Sequence, residues 1–513
     1  MKKSLFYTFA FSLALGLTAC SDGDDTYIDK VLAPIKGDSV DINPGDGISD
    51  DNYYRELWRP QIHYTPAKNW INDPNGLVYL NGTWHMYYQY NPSGEAWGNM
   101  SWGHATSTDL FHWKEQPVAL TPDELGYIYS GSAVVDKNNT AGFGENAIVA
   151  IYTAHGNREQ QCIAYSTDGG MTFTKYSGNP VVRNSTYNDF RDPKVFWDDT
   201  YQKWYMIVAL GNEHRCQIYA SDDLKTWKLS STFSVSNYSG CNTGCWVCPD
   251  MFPITYKGER KYVITVNTSN GHPNANSSGV MYFVGNWNGA RFTLDQYDYP
   301  LWEDEGLDAY ASVTWSNAGD RHVAIAWMND QLYSGDYPCS PWRSAMTLPR
   351  EQVLEEYNGR PLMKSTIVKE IEGLAGEWRT AGSLLDVKDA YQLKVPVSLA
   401  SDCVITLSNG AGNKYKVKVD AQNRELIIDR GGDTGSYSSA RFPLSNVRGK
   451  LNTDASDVVL NFYVDQSSVE ITTDDGSMIM TTLVFPASIY NMLKVDGQTV
   501  NAQVRDLARV WSK

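Results

Sequence analysis

Short runs of aromatic and β-branched residues, separated by turn-forming residues, recur along the chain from about residue 53 to residue 360. Trp84–Tyr90 and Lys203–Leu210 are two of these runs, and the next residue is Asn in one case and Gly in the other. Such runs predict short β-strands. No long segment has the period of an amphipathic helix, so we predict an all-β fold.

A loose motif repeats within this region. Ser-Thr-Asp or Ser-Asp-Asp, followed closely by Trp or Phe, begins at Ser107, Ser166 and Ser221, and a degenerate fourth copy lies at Asn286–Phe292. The copies are roughly 55 to 65 residues apart, which suits a four-stranded propeller blade. This period predicts a five-bladed β-propeller over residues 53–362, although a loose motif can also repeat by chance.

The pattern changes after the predicted propeller. Residues 363–379 are predicted to form a short, partly helical connector, and strands then recur at short intervals over residues 380–513. Asp475-Gly476, between two apolar runs, is a hairpin signal. We therefore predict a C-terminal β-sandwich.

The first 20 residues have the pattern of a bacterial lipoprotein signal peptide. A basic start precedes an uncharged apolar run that is too short to span a bilayer. The run ends in Leu17-Thr18-Ala19-Cys20, and Cys20 would carry the lipid. Residues 21–52 are acidic and rich in Gly and Ser, which predicts a flexible tether. We expect an exported outer-membrane lipoprotein, at the cell surface or otherwise in the periplasm; an ordinary secreted protein is the alternative.

Composition and charge narrow the choice of partner. The chain carries 43 basic and 59 acidic residues, a net charge of -16, and this field repels nucleic acid. The 17 Trp and 33 Tyr residues suit the stacking of sugar rings, although β-rich folds are aromatic-rich in any case. A neutral polymer is the compatible partner.

The cysteines leave two interpretations. Without Cys20, seven remain, so at least one thiol is free. Cys241, Cys245 and Cys248 have a spacing that permits zinc binding, but in an exported protein a disulfide is the preferred prediction, and the pairing stays open. We expect no metal and no cofactor.

Two aspartates precede prolines in motifs that can carry chemistry. Asp73 lies in Trp70–Gly76 and Asp192 lies in Arg191–Lys194, on different predicted blades. Because a proline restricts the preceding residue to extended conformations, we expect both carboxylates to be fixed and to converge on the propeller axis. Asp-Pro is also a common start of a turn, which is the simpler interpretation of either motif alone.

Together these motifs resemble glycoside hydrolase family 32, the invertases, inulinases and levanases. The resemblance runs from about residue 58 to the C-terminus and includes, in order, the segments Tyr88–Pro92, Trp102–Ala105, Tyr129–Ala133, Trp246–Asp250, Met346–Glu351 and Phe462–Glu470. It implies a five-bladed propeller followed by a β-sandwich. It also implies retaining hydrolysis of a fructan, a fructo-oligosaccharide or sucrose by two carboxyl groups roughly 5 Å apart.

The resemblance implies roles for individual residues. Asp73 matches the nucleophile, and Asp192 matches the acidic residue that stabilises the transition state. The other matches to the fructosyl pocket are Asn72, Gln89, Trp97, Tyr129, Ser130, Arg191 and Trp327.

The sequence departs from the family pattern at Val247, where the family has the glutamate that acts as general acid and base. Valine cannot transfer a proton, and such assistance is typically worth about 100- to 10,000-fold, so we expect impaired activity. Four other carboxylates are candidate substitutes: Glu213, which is preferred, Asp250, Glu305 and Asp308.

Two functions therefore stay open. The chain is either a slow β-fructosidase or a non-catalytic surface lipoprotein that captures fructan, and a purely structural role is the weakest hypothesis. Other surface glycan-uptake proteins would be further partners of an anchored fructan-binding protein.

Overall fold

The computed structural model describes residues 54–431, 439, 441–442 and 445–511. The predicted signal peptide with Cys20, and the tether predicted over residues 21–52, lie outside the described residues. Within the described part of the chain, no helix has the length and apolar character needed to cross a membrane.

Five sheets make up the N-terminal domain, and the first three each contain four consecutive antiparallel strands. The first sheet has β1 (Asn69–Leu80), β2 (Thr83–Asn91), β3 (Ser101–Ser107) and β4 (Lys114–Leu120). The second has β5 (Tyr127–Asp136), β6 (Ala147–His155), β7 (Glu159–Ser166) and β8 (Thr174–Lys175). The third has β9 (Arg191–Asp198), β10 (Lys203–Leu210), β11 (Arg215–Ser221) and β12 (Lys228–Ser234).

The last two sheets complete the ring. The fourth has β13 (Trp246–Tyr256), β14 (Glu259–Thr268), β15 (Gly279–Trp287), β16 (Phe292–Leu294) and β17 (Leu301–Trp302). The fifth begins with β18 (Tyr310–Thr314) and β19 (Val323–Met328). Next along the chain, β20 (Trp342–Arg343) pairs in parallel with β1 and so joins the end of the ring to its beginning. The fifth sheet then continues with β21 (Ala345–Met346), β22 (Arg350–Tyr357) and β23 (Arg360–Ile367).

The second strand of each blade shows why these segments fold as they do. Every residue of β2 except Thr83 is buried, and every residue of β6 except His155 is buried. A blade in the ring has a neighbour on each face, so its central strands are covered on both sides and read as continuous apolar and aromatic runs. The hydrophobic clusters accordingly lie between adjacent blades.

The sequence repeat marks one turn in each of several blades. Ser107, Ser166 and Ser221 end the third strands β3, β7 and β11. Two residues later, an aspartate carboxylate accepts backbone N–H bonds from the following turn in all three copies. Asn288 does the same in the degenerate fourth copy. The prediction of a five-bladed propeller is confirmed.

A two-sheet β-sandwich follows, as predicted. It begins after a 3-10 turn at Lys369–Gly373; three other 3-10 turns lie within the propeller, at Gly211–Glu213, Ser239–Cys241 and Ser334–Asp336. In chain order its strands are β24 (Arg379–Thr380), β25 (Ala390–Ser398), β26 (Cys403–Ser408), β27 (Lys414–Asp420), β28 (Glu425–Asp429), β29 (Ser445–Lys450), β30 (Asp457–Val464), β31 (Ser468–Thr473), β32 (Ile479–Leu483), β33 (Met492–Asp496) and β34 (Gln503–Leu507). The two sheets have the orders β24-β34-β25-β30-β31-β32 and β29-β28-β27-β26-β33, and an aliphatic core lies between them.

A buried polar network joins the two domains. His63, which precedes β1, contacts Asp465 through Nδ1 at 2.7 Å and Glu470 through Nε2 at 2.9 Å. Arg350 donates to Glu470 at 2.8 Å and, through its other terminal nitrogen, to Asp304 at 2.8 Å. These side chains have almost no solvent exposure, so each charge depends on its partners.

Candidate active site

A ring of β-bulges surrounds one end of the propeller axis. The innermost strand of every blade, β1, β5, β9, β13 and β18, has a register shift against the next strand. The residues at these shifts are Asn72–Asp73, Tyr129–Ser130, Asp192–Pro193, Cys248–Pro249 and Ala311–Ser312. Bulges re-aim side chains and are common beside active sites. Here they turn both candidate carboxylates into one pocket.

Asp192 does not have the backbone that its proline predicts. Its φ is +62°, and Cys248 has a φ of +42°, so the expectation of an extended conformation at Asp192 is wrong. The bulge imposes the left-handed geometry, and two bonds hold it: the Asp192 N–H donates to Thr153 Oγ1 at 3.0 Å, and the Cys248 N–H donates to Asp192 Oδ2 at 2.9 Å. Strain of this kind is typical of functional sites.

Asp73 and Asp192 meet at one thiol. Cys248 Sγ lies 3.4 Å from Asp73 Oδ2 and 3.6 Å from Asp192 Oδ2. Burial raises the pKa of the Cys248 thiol well above its usual value, and the two carboxylates raise it further. The thiol therefore keeps its proton and can donate it to either carboxylate.

The two carboxylates differ in their surroundings. Asp73 is half-buried and accepts hydrogen bonds from Ser130 Oγ at 2.6 Å and Asn72 Nδ2 at 3.1 Å. Asp192 is buried. Burial raises the pKa of Asp192 to about 7, and the charge of Asp73 acts in the same direction, while the Arg191 guanidinium opposes the rise. The pair is thus asymmetric, as a nucleophile and a second carboxyl in one site require.

A buried glutamate organises the wall beside Asp192. Glu159 accepts a hydrogen bond from the Phe190 N–H at 2.7 Å, pairs with Arg191 Nη2 at 2.6 Å and contacts His155 Nδ1 at 3.1 Å. His155 stacks on Tyr129, with ring centroids 4.1 Å apart. One carboxylate therefore fixes two predicted pocket residues, Arg191 directly and Tyr129 through the histidine.

The remaining predicted residues lie around these groups. Trp97 packs edge-on against Tyr129 at 6.1 Å. Gln89 is buried and donates to Asn75 Oδ1 and to the Ile128 carbonyl, next to Tyr129. Trp327 packs against Trp70 with centroids 5.9 Å apart, and no group within the described residues accepts a bond from its buried Nε1. Nine of the ten predicted site residues lie on the bulges or on strands beside them, and Trp97 lies in the loop between β2 and β3.

Val247, which the sequence resemblance aligns with the general acid, has no titratable group. It lies on β13 opposite Asn267, is half-buried, and packs against the aromatic cluster that contains Trp70, Tyr310 and Trp327. Its environment is therefore apolar on this side.

Two of the four alternative carboxylates, Asp250 and Asp308, are engaged in buried contacts. Asp250 is buried and bound by Lys194 and Thr314. Asp308 pairs with Arg430, and the Glu305 N–H bonds the backbone of β32, so both lie against the sandwich. Glu213 ends a 3-10 turn, its side chain is 43% exposed, and its nearest cation is Arg215 at 3.5 Å.

Sequence reasoning missed three functional contacts. Cys248 belongs to the segment Trp246–Asp250 that carries the family resemblance, but its position between the carboxylates depends on the bulge. His155 and Glu159 lay in no motif; counting strands within the second blade would have placed them beside Tyr129, because Tyr127 pairs with His155. The preference for a disulfide over zinc at the cysteine cluster agrees with Cys245, which is disulfide-bonded, whereas Cys241 and Cys248 are buried free thiols.

Comparison with known proteins gives consistent matches over nearly the whole chain. The model of the glycosyl hydrolases family 32 N-terminal domain matches residues 63–365, and that of the family 32 C terminal matches residues 364–512. The levanase of Bacillus subtilis (strain 168) is 40% identical over 501 residues, which cover 90% of this chain and 72% of the levanase. The extracellular exo-inulinase of Aspergillus awamori is 36% identical over 531 residues, which cover 91% of this chain and 97% of the inulinase.

Solved structures agree with these matches. The crystal structure of the Aspergillus awamori exo-inulinase superposes with a TM-score of 0.82 at 33% identity, covering 89% of this chain and all of that one. The β-fructofuranosidase of Schwanniomyces occidentalis complexed with fructosyl-erythritol superposes with a TM-score of 0.79 at 30% identity, covering 90% of this chain and all of that one.

The five-bladed propeller followed by a β-sandwich is the fold of these solved glycoside hydrolases. With both halves matched by family models, this chain belongs to glycoside hydrolase family 32.

Proposed function

We propose that the propeller pocket recognises a terminal fructosyl unit of a fructan or fructo-oligosaccharide, and that Val247 makes hydrolysis of this unit slow. The observation that carries the proposal is the pair of carboxylates on either side of the Cys248 thiol, beside a valine that cannot move a proton. The names of the relatives, a levanase and exo-inulinases, support a β-fructoside as the ligand.

The proposed chemistry assigns a step to each group. Asp73 attacks the anomeric carbon, the bond to the departing oxygen breaks, and Ser130 and Asn72 hold the attacking carboxylate in place. Asp192 stabilises the positive charge that develops on the sugar ring. A water molecule then attacks the anomeric carbon and releases Asp73 and fructose.

Val247 has no proton to give to the departing oxygen, so in this proposal the proton comes from solvent. In the second step Val247 likewise supplies no base, and the attacking water gives up its proton to solvent. Loss of general acid–base assistance raises the barrier by about 3 to 5 kcal/mol. Fructosides with a good leaving group need the proton least, so they should be the fastest substrates for the first step.

A second candidate function is non-catalytic capture of fructan. It is favoured by the surroundings of two alternative carboxylates, since the buried Asp250 is bound by Lys194 and Thr314 and Asp308 pairs with Arg430. The pocket residues that contact a sugar do not depend on Val247, so binding can persist when turnover does not.

Restoring the carboxyl group tests whether Val247 limits hydrolysis. Val247→Glu should increase fructose release from levan, inulin or sucrose by about 100-fold or more. Val247→Gln has nearly the same size without a titratable group and should stay at the wild-type rate. Wild-type turnover within tenfold of the Val247→Glu variant on the same substrate would show that another group already supplies the proton, and Glu213 would be the next residue to replace.

A further inference from the structure

A polar cavity of about 220 Å³ lies on the outer face of one sandwich sheet. Its floor is formed by side chains from four adjacent strands of that sheet: Gln392, Lys394, Asn461, Tyr463, Thr472 and Arg505. Their chain neighbours, such as Leu393 and Phe462, point the other way into the sandwich core, as the alternation along a strand requires. The connector covers the cavity with Glu372 and Trp378.

The cavity is separate from the propeller pocket. Thr366 and Ile367, which also line it, end β23, the outermost strand of the fifth blade. The bulge ring lies on the innermost strands, and three strand spacings across a blade amount to roughly 14 Å. A ligand in the cavity therefore does not contact Asp73 or Asp192.

Hydrogen bonds hold the floor of the cavity in one arrangement. Gln392 Nε2 donates to Asn461 Oδ1 at 3.0 Å and to the Tyr463 hydroxyl at 3.1 Å, and Arg505 Nε donates to Gln392 Oε1 at 2.8 Å. Asn461 in turn donates to Asp474 at 3.1 Å. Because these side chains are bound to one another, they are already positioned for a ligand, and binding costs little side-chain ordering.

The charges in the cavity cancel in pairs. Arg505 forms a two-pronged pair with Glu372, at 2.7 and 2.5 Å, and Lys394 lies 3.4 Å from Asp474. Neither a cation nor an anion would find an unpaired countercharge in this network. A neutral ligand rich in hydroxyl groups matches such a wall, because amide, carboxylate and guanidinium groups bind hydroxyls as donors and acceptors.

Trp378 adds an aromatic side chain to this polar wall. Its indole is half-buried, with the Arg505 guanidinium carbon 4.4 Å and Lys394 Nζ 5.1 Å from the ring centroid. The cations lie over the ring and fix its orientation. The cavity volume of about 220 Å³ is many times what one water molecule needs, which leaves room for one monosaccharide unit.

We propose that this sandwich cavity is a second saccharide subsite, which holds one fructosyl unit of a fructan chain away from the propeller pocket. The identity of the sugar rests on the proposed function; the existence of a neutral-saccharide site rests on the cavity alone. Two sites on one polymer raise its apparent affinity through effective concentration, so the cavity should matter for long fructans and not for short fructosides.

Affinity electrophoresis of the full chain in gels with and without levan tests the proposal. Trp378→Ala removes the aromatic surface, and Thr366→Arg narrows the rim at an exposed position without touching the buried network. Each should weaken levan retention by about tenfold and leave the binding of a short fructo-oligosaccharide unchanged. Trp197→Ala, which removes a half-buried indole on the third blade, should behave as wild type.

Levan retention within twofold of wild type in both Trp378→Ala and Thr366→Arg would overturn the proposal. It would also be overturned if these substitutions changed retention in gels that contain dextran in place of levan. Failure of the proposed function has a different signature. In that case short fructo-oligosaccharides do not bind the propeller pocket, and Asp192→Asn changes nothing, while retention that depends on Trp378 persists.

Discussion

Raising the pH from 7 to 9 should weaken the contact between propeller and sandwich through His63. Burial alone would lower the pKa of this histidine, but the hydrogen bonds and charges of Asp465 and Glu470 raise it from 6.5 to about 9. A raised pKa contributes stability that is fully present below pH 6.5 and is lost as the pH rises through 9. The full contribution is about 3 kcal/mol, of which about 2 kcal/mol is lost between pH 7 and pH 9.

Other groups also titrate between pH 7 and 9. Burial raises the pKa of Asp192, Glu303, Glu305 and Asp330 to about 7 and raises the pKa of buried thiols such as Cys248 above its usual value, so these groups also cost stability as the pH rises. The contribution of His63 is therefore the difference between wild type and a variant that lacks this histidine. Urea unfolding followed by tryptophan fluorescence at pH 7, 8 and 9 gives the free energy of unfolding at each pH.

Two variants make the assignment specific. His63→Gln should be less stable than wild type at pH 7, and its free energy of unfolding should fall by about 2 kcal/mol less than that of wild type between pH 7 and 9. His112→Gln removes an exposed histidine that also contacts a carboxylate and should follow the wild-type curve. A His63→Gln curve parallel to wild type over this range would refute the reasoning.

Three further predictions concern the pocket and the anchor. Glu159→Gln removes the charge that fixes Arg191 and should weaken binding of fructo-oligosaccharides about tenfold by calorimetry, with folding checked by thermal melting. Ser130→Ala removes a 2.6 Å hydrogen bond to Asp73 and should slow fructosyl-enzyme formation from an aryl fructoside about 10- to 100-fold. Mass spectrometry follows this step, and equal rates in the variant and wild type would contradict the assignment of Ser130. Cys20→Ala should abolish labelling by radioactive palmitate in a bacterial host, and undiminished labelling would exclude this residue as the anchor.

The part of the fold that the sequence predicted rests on local chemistry. The Ser-x-Asp turn recurs once in each of several blades. After each third strand, an aspartate carboxylate accepts hydrogen bonds from the backbone N–H groups of the turn. The period of this turn is therefore a property of short segments, visible without knowledge of any distant contact. The strand runs are similarly local, since burial on both faces favours continuous aromatic and β-branched residues.

The unpredicted features depend on contacts between distant segments. The role of Glu159 becomes visible only when the second and third blades are placed side by side. Its partner, Arg191, begins the innermost strand of the third blade. The geometry of Asp192 contradicted the local rule for a residue before proline, since the bulge and the bond from Cys248 override that preference. The sandwich cavity likewise needs four strands and the connector in place.

The most direct test measures binding and turnover on the same wild-type protein. Levan- and inulin-type oligosaccharides are titrated into the protein by calorimetry, and free fructose is measured in the same solution at the end of the titration. We predict saturable binding that Asp192→Asn weakens, together with fructose release at least 100-fold slower than that of Val247→Glu. Release at a rate comparable with Val247→Glu, or no binding by a folded protein, would contradict this account.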